Sequence, residues 1–334
     1  MAKNRWYHFS PGGEVADLDG FEKVLELRKA GGFSWCAFVA PGKDDLEPLV
    51  EALGLHPLSV EDCFDDDHLP KIDIFPGYTG ILFNDFLNGS DDVTVREINF
   101  FLGKDFIVSV LRDESADTRL NDEVLAELAF DAVSQASGPA RILHAILDRV
   151  IDRKFSAVES IGDRIARLED LILGEKDPVD HAELQGIRQN LLVMRKSLFH
   201  EREILARICR HDSVLIQKED LAYFSNLYDH LAKFVELVEA SREMMTNLVQ
   251  IQLSLSSNAM AESANRTNRS VNRLTLITTI FMPLSLIAGI GGMSEWTMMT
   301  GQGNWKTSYP ILIGLMALVG VANFILLKWL QRKK

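Results

Sequence analysis

The chain has 334 residues, 47% of them hydrophobic, with 35 Lys+Arg against 48 Asp+Glu and a formal charge of −13 at pH 7. So acidic a balance argues against nucleic acid as a partner and favours cations, a solubilising surface being the plainer use of the same charge. Three scattered cysteines, Cys36, Cys63 and Cys209, with no CxxC pair, argue against a disulfide framework and the usual structural zinc site, and fit free thiols in a reducing cytosol.

Met1–Gly13 is polar and lacks an apolar core segment, so no signal peptide is expected. From there to about residue 135, short apolar runs alternate with amphipathic ones. Trp35–Ala40, Gly80–Phe86, Glu97–Leu102 and Phe106–Leu111 are rich in Val, Ile and Phe and predict strands. Phe21–Ala30, Asp45–Leu53 and Asn121–Ser134 predict helices. Gly103-Lys104-Asp105 marks a hairpin turn between two of the strands. The mixture predicts one α/β domain over residues 1–135.

Residues 136–265 are helical in pattern. Ile142–Leu173 is one long amphipathic segment, Gly174–Asp180 breaks it at Pro178, and His181–Arg210 returns as the second arm of an antiparallel hairpin. A third helix begins near Glu219 and meets no Gly or Pro until Pro283. Its Leu227, Leu231, Phe234, Val238, Met245, Leu248 and Leu255 follow spacings of three and four, with Ser241 and Gln252 at skipped positions. That spacing predicts packing along its length. The helix then enters a membrane span, as a stalk of about 70 residues and about 100 Å. One chain buries such a helix poorly, which points to a homo-oligomer around a central axis.

Residues 266–334 read as a transmembrane hairpin. The uncharged runs Leu274–Gly292 and Ser308–Leu327, of 19 and 20 residues, are each about 30 Å long as helices, enough to cross a bilayer core. Arg266, Arg269 and Arg273 precede the first run, and Lys328, Arg332, Lys333 and Lys334 follow the second. The positive-inside rule places both termini in the cytoplasm and the loop outside. This tail carries +7, which leaves −20 on residues 1–265. In the first run, Thr275, Thr278, Thr279, Met282 and Ser285 fall within an arc of roughly 120° at about 100° per residue. Leu276, Ile277, Ile280, Leu284 and Ile287 lie mostly elsewhere. A polar stripe of this kind faces water or another helix, and the stripe alone does not choose between a pore and plain helix packing. Pro283 is tolerated where neighbouring helices satisfy the freed carbonyl.

The segment Phe281-Met282-Pro283-Leu284-Ser285-Leu286-Ile287-Ala288-Gly289-Ile290-Gly291-Gly292-Met293-Ser294 resembles the end of the first span in the CorA family of divalent-cation channels, with its Phe-Met-Pro-Leu run and Gly-Met-Asn signature. His56-Pro57-Leu58-Ser59-Val60-Glu61-Asp62, followed by Pro70-Lys71-Ile72 and Tyr78, resembles another family segment, and Tyr223–His230 resembles its stalk entry. Met194-Arg195-Lys196 and Arg202-Glu203-Ile204-Leu205 are similar to the zinc-transporting ZntB branch. The resemblance runs in order over most of the chain.

It implies a funnel-shaped homopentamer in the cell (inner) membrane, with a cytoplasmic α/β domain, a long helical stalk and two C-terminal transmembrane helices. By position, Asn268, Val271, Leu274, Thr278, Met282 and Ser285 line the pore, with Leu274 and Met282 as dry constrictions. Gly292, Met293, Ser294 and Glu295 form the entrance. The cargo implied is magnesium or zinc, with cobalt and nickel as further candidates, and no cofactor. The expected partners are the bilayer, divalent cations and further copies of the chain. A non-conducting metal sensor or scaffold of the same fold is the alternative. Two departures stand out. The signature is Gly-Met-Ser, so a ring of shorter, weaker hydroxyl acceptors replaces the family's Asn amides. The family also pairs an acid in the α/β domain with one at a neighbour's stalk entry to hold a regulatory magnesium. Here Asp62 faces Asn226, with Glu61 and Asp229 as further candidate ligands.

Other constellations carry less. Asp65-Asp66-Asp67-His68, near His56 and Asp62, is a candidate magnesium, zinc or cobalt site, and a solvated acidic turn is the plainer reading. Gly289–Gly292 lacks the Lys-Ser/Thr of a phosphate loop, and His200-Glu201 lacks the second His of a zinc protease. Met293, Met298 and Met299 offer soft sulfur ligands, though packing explains them equally well. No catalytic order of Ser, His and Asp emerges, and no enzyme is predicted.

Overall fold

The structure is a computed structural model and describes residues 4–12, 14–65, 68–88, 92–112, 119–130, 138–174, 181–292, 298–299, 301 and 303–332. The chain forms two compact units, Met1–Gln250 and Ile251–Lys334.

The first unit is built on a seven-stranded sheet. Its strands are β1 (Arg5–Phe9), β2 (Val15–Leu18), β3 (Phe33–Val39), β4 (Lys71–Ile74), β5 (Tyr78–Asn88), β6 (Val93–Gly103) and β7 (Phe106–Leu111). Their order is β2-β1-β3-β7-β6-β5-β4. All neighbours are antiparallel except β3 and β7, which pair in parallel from Ser34 opposite Phe106 to Val39 opposite Leu111. The turn predicted at Gly103 joins β6 to β7 as a hairpin. A Cβ there would sit 2.1 Å from the Phe106 ring, so the position needs glycine.

Helices α1 (Phe21–Arg28), α2 (Lys43–Leu53) and α3 (Pro57–Glu61) cover one side of the sheet. Val24, Leu46, Leu49, Leu53 and Val60 meet alternate strand residues, Cys36 and Phe38 on β3, Phe101 on β6, and Val108 and Val110 on β7. The intervening residues Trp35, Ala37, Ile107 and Ser109 are buried too, so with a period of two the sheet is covered on both faces. Burial on both faces explains why these strands read as continuous apolar runs. Helix α4 spans Arg119–Phe130. Helix α5 (Pro139–Gly174) lies across β3, β5, β6 and β7, and helix α6 (His181–Cys209) packs on α5, β4 and β5.

A fully buried ion pair ties these layers together. Lys154 of α5 meets Glu201 of α6, and its ammonium stands 4.2 Å from the Phe83 ring centroid. The other Glu201 oxygen accepts from the Asn84 amide at 2.9 Å and the Ser197 hydroxyl at 3.2 Å. Burial pushes the Lys154 ammonium below its usual range, while Glu201 opposes that shift.

Helix α7 (Leu221–Gly291) has 71 residues and contributes to both units. In the first, Leu227, Leu231, Phe234, Val238, Met245 and Leu248 are buried, as the three-four spacing predicts. The second unit holds the remainder of α7 and helix α8 (Trp305–Arg332). Both helices are long and apolar enough to cross a membrane, with mean hydropathies of 1.9 and 2.1 over their most apolar stretches.

Candidate functional site: a polar face on a membrane-length helix

Residues 256–275 of α7 are exposed throughout, although Met260, Val271 and Leu274 are among them. Beyond them, one side of α7 is covered. Leu276, Ile280, Pro283, Leu284 and Ile287 are half-buried and Gly291 is buried, a spacing that puts them on one face. That face packs on α8. A Cβ on Gly291 would lie 2.3 Å from Leu312 Cδ2, and one on Gly320 would lie 3.7 Å from Leu284 Cδ1. The small residues admit close approach of the two helices.

The polar stripe lies roughly opposite, about 150° away at about 100° per residue. Asn268, Val271, Leu274, Thr278, Met282 and Ser285 are all exposed, Leu274 at 65% and Met282 at 68%. Thr278 Oγ1 donates to Leu274 O at 2.9 Å, and Thr279 Oγ1 donates to Thr275 O at 2.7 Å. Each hydroxyl proton is thereby committed to the helix's own backbone. The oxygen lone pairs remain, so this face presents acceptors rather than donors. Acceptors suit a cation or the water around it. Gly292 follows the last helical residue as a turn, and Met293, Ser294 and Glu295 lie outside the described residues.

The second set of predicted ligands lies in the first unit. Asp62 opens a short 3-10 turn (Asp62–Phe64) directly after α3. Its Oδ2 accepts from the Lys71 ammonium at 2.6 Å, and Asp73 Oδ2 stands 3.6 Å from the same nitrogen. The Asp62 hydrogen bond is the largest cause of the raised Lys71 pKa. Glu61 is exposed and lines a groove between α2 and α3 with Asp44, Glu47 and Glu51. Asn226 and Asp229 are exposed on α7, and among the described residues no hydrogen bond or ion pair joins them to Asp62 within one chain.

The structure does gather a group that the sequence only hinted at. Ligand atoms of Asp62, Asp65 and His68 lie within 4.8 Å of one another. Asp66 and Asp67 lie outside the described residues. His56 is not in the group, because its Nδ1 accepts the Leu58 N–H at 3.2 Å as the N-cap of α3 and its ring stacks on Phe75. Cys36 and Cys63 are buried thiols pushed up to about 12 by desolvation, which leaves them poor thiolate ligands.

Comparison with known proteins gives one consistent picture. The family described as CorA-like Mg2+ transporter protein matches residues 30–332. YfjQ of Bacillus subtilis is 32% identical over 292 residues, 87% of each chain. The cobalt/magnesium transport protein CorA of Thermotoga maritima is 28% identical over 94% of this chain and 86% of its own. The zinc transport protein ZntB of Pectobacterium atrosepticum is 25% identical over 64% and 61%. Among solved structures, the CorA magnesium transporter of Methanocaldococcus jannaschii superimposes with a TM-score of 0.69 at 21% identity, covering 97% of this chain and 96% of its own. Full-length CmaX gives 0.65 at 18% identity over 98% and 97%.

Proposed function

This chain belongs to the CorA-like Mg2+ transporter family, whose members are transporters and not enzymes, and we propose that it carries divalent cations across a membrane along the polar face of α7. The observation that carries the proposal is the opposition of the two faces of that helix. The side toward α8 is apolar and covered, while the side bearing Thr278, Met282 and Ser285 is exposed in a single chain. In a bilayer such a face needs water or protein against it. Several copies around an axis supply both, and the homopentamer implied by the family resemblance is the assembly we assign.

In that assembly Asn268, Val271, Leu274, Thr278, Met282 and Ser285 line the path, and Gly292, Met293, Ser294 and Glu295 form its entrance. Rings of Leu274 and Met282 gate it by excluding water. Between them, Thr278 oxygens offer acceptors to the hydration shell. Glu295 attracts cations from the loop side over about a Debye length of 10 Å. With both termini in the cytoplasm, the membrane potential drives entry, at about 4.6 kcal/mol for a divalent ion per 100 mV. Ser294 in place of the family's Asn weakens the grip on fully hydrated magnesium, so zinc and cobalt share the path. Functionally the chain divides into residues 1–135, 136–265 and 266–334.

The test is divalent-ion flux into proteoliposomes. Met282→Asp should raise resting leak, because a ring of carboxylates holds water in the constriction. Unchanged leak from an intact assembly would move the gate elsewhere. A folded, inserted wild type with no flux would support a non-conducting sensor of the same fold.

A further inference from the structure

We propose that Asp62, Asp65 and His68 form an intrachain site for a transition-metal ion such as Zn2+ or Co2+. The site lies in the first unit and does not depend on the pore. Three residues within a span of seven bring two carboxylates and an imidazole to within 4.8 Å of one another. Zinc–ligand bonds of about 2.0–2.2 Å set ligand atoms about 3.4 Å apart in a tetrahedron, so the group closes by at most about 1.4 Å. Three protein ligands leave a fourth position for water.

A separate observation points to a ligand. The Nδ1 atom of His68 is buried and has no hydrogen-bond partner among the described residues. Most buried polar atoms are satisfied, so this one invites a partner that the polypeptide does not provide. The backbone around the group is held in place. The His68 N–H donates to Glu97 Oε1 at 3.2 Å, and Arg112 donates to the Asp65 carbonyl at 2.9 Å. An imidazole nitrogen among the ligands selects against magnesium, which takes oxygen ligands, and in favour of zinc, cobalt or nickel.

Lys71 makes the site responsive. Its ammonium rests on Asp62 at 2.6 Å, with Asp73 waiting at 3.6 Å. An arriving divalent cation takes Asp62, and the ammonium shifts to Asp73 with no charge left stranded. Lys71 is thus a tethered competitor that raises the metal concentration needed to fill the site.

Equilibrium binding to the purified full-length protein tests this, with Co2+ as spectroscopic probe and Zn2+ as competitor. We expect a histidine-bearing Co2+ spectrum that zinc removes and excess magnesium does not. His68→Ala and Asp65→Ala should each weaken zinc binding about tenfold or more. Lys71→Met should strengthen it several-fold, a gain that misfolding cannot produce. Cobalt bound in the pore persists in His68→Ala, so the fraction lost in that variant reports this site alone. Zinc binding unchanged in His68→Ala, displacement of Co2+ by magnesium, or no gain in Lys71→Met would each overturn the proposal.

Discussion

Asp220 shows how one residue secures the start of the long helix. Its carbonyl accepts the first amide of α7 from Tyr223 at 3.0 Å, and its carboxylate pairs with Arg141 of α5 at 2.9 Å. The Arg141 guanidinium also lies 3.4 Å from the Tyr223 ring centroid, a cation–π contact that closes the joint. Burial raises the Asp220 carboxyl above its ordinary value of 3.8, with Arg141 pulling the other way. A raised folded-state value means that the folded protein holds this proton more tightly than the unfolded chain. The group's stabilising contribution is therefore full below 3.8 and lost as pH rises through the raised value. Asp220→Asn removes that dependence. The wild-type melting temperature minus the variant's should shrink as pH rises from 4 to 7, read by thermal melts across that range. A difference that grows with pH would reverse the assignment.

At the scale of elements, the contact of α7 with α8 rests on Gly291 and Leu312. Gly291→Ala asks Leu312 to rotate away, which a side-chain end can do at small cost, whereas Gly291→Ile overpacks the joint by about 1–3 kcal/mol. Leu312→Ala should restore stability to Gly291→Ile, as measured by protease resistance of the second unit in detergent micelles. No rescue would mean that the two positions do not share a contact. This pairing was not legible from the sequence, although both spans were, because uncharged runs of 19 and 20 residues leave few alternatives. The central strands β3, β5, β6 and β7 were legible for a similar reason, since burial on both faces demands continuous apolar residues. The edge strands β1, β2 and β4 were missed. Val15–Leu18 is mostly exposed and has four residues, and Arg5–Phe9 mixes charge with aromatics, so neither carries the pattern of a buried strand. The parallel pairing of β3 with β7 is set by tertiary packing across some 70 residues and leaves no local mark. For the same reason the sequence showed Asp65 and His68 as an acidic turn, and only the 3-10 turn after α3 brings Asp62 to them. The stripe on α7 fared better, because helical periodicity converts directly into a face.

For the whole molecule, charge separates the two ends. Arg266, Arg269 and Arg273 before the first span, with Lys328 and Arg332 after the second, place the connecting loop outside. A cysteine at Gly301 in a Cys209→Ser background should react on intact cells with an impermeant thiol reagent, while one at Gln331 should react only after lysis. The reverse pattern would invert the topology. The acidic first unit then faces the compartment into which cations flow, where its −20 on residues 1–265 gathers them. The central claim is that the polar face of α7 lines the cation path, and single cysteines on its two faces test it most directly. In the same background, a water-soluble cationic thiol reagent applied to Thr278→Cys in proteoliposomes should abolish divalent-ion flux, and applied to Ile280→Cys should leave it unchanged. Block at Ile280→Cys with flux intact at Thr278→Cys would contradict the account, since ions would then run along the face that packs on α8.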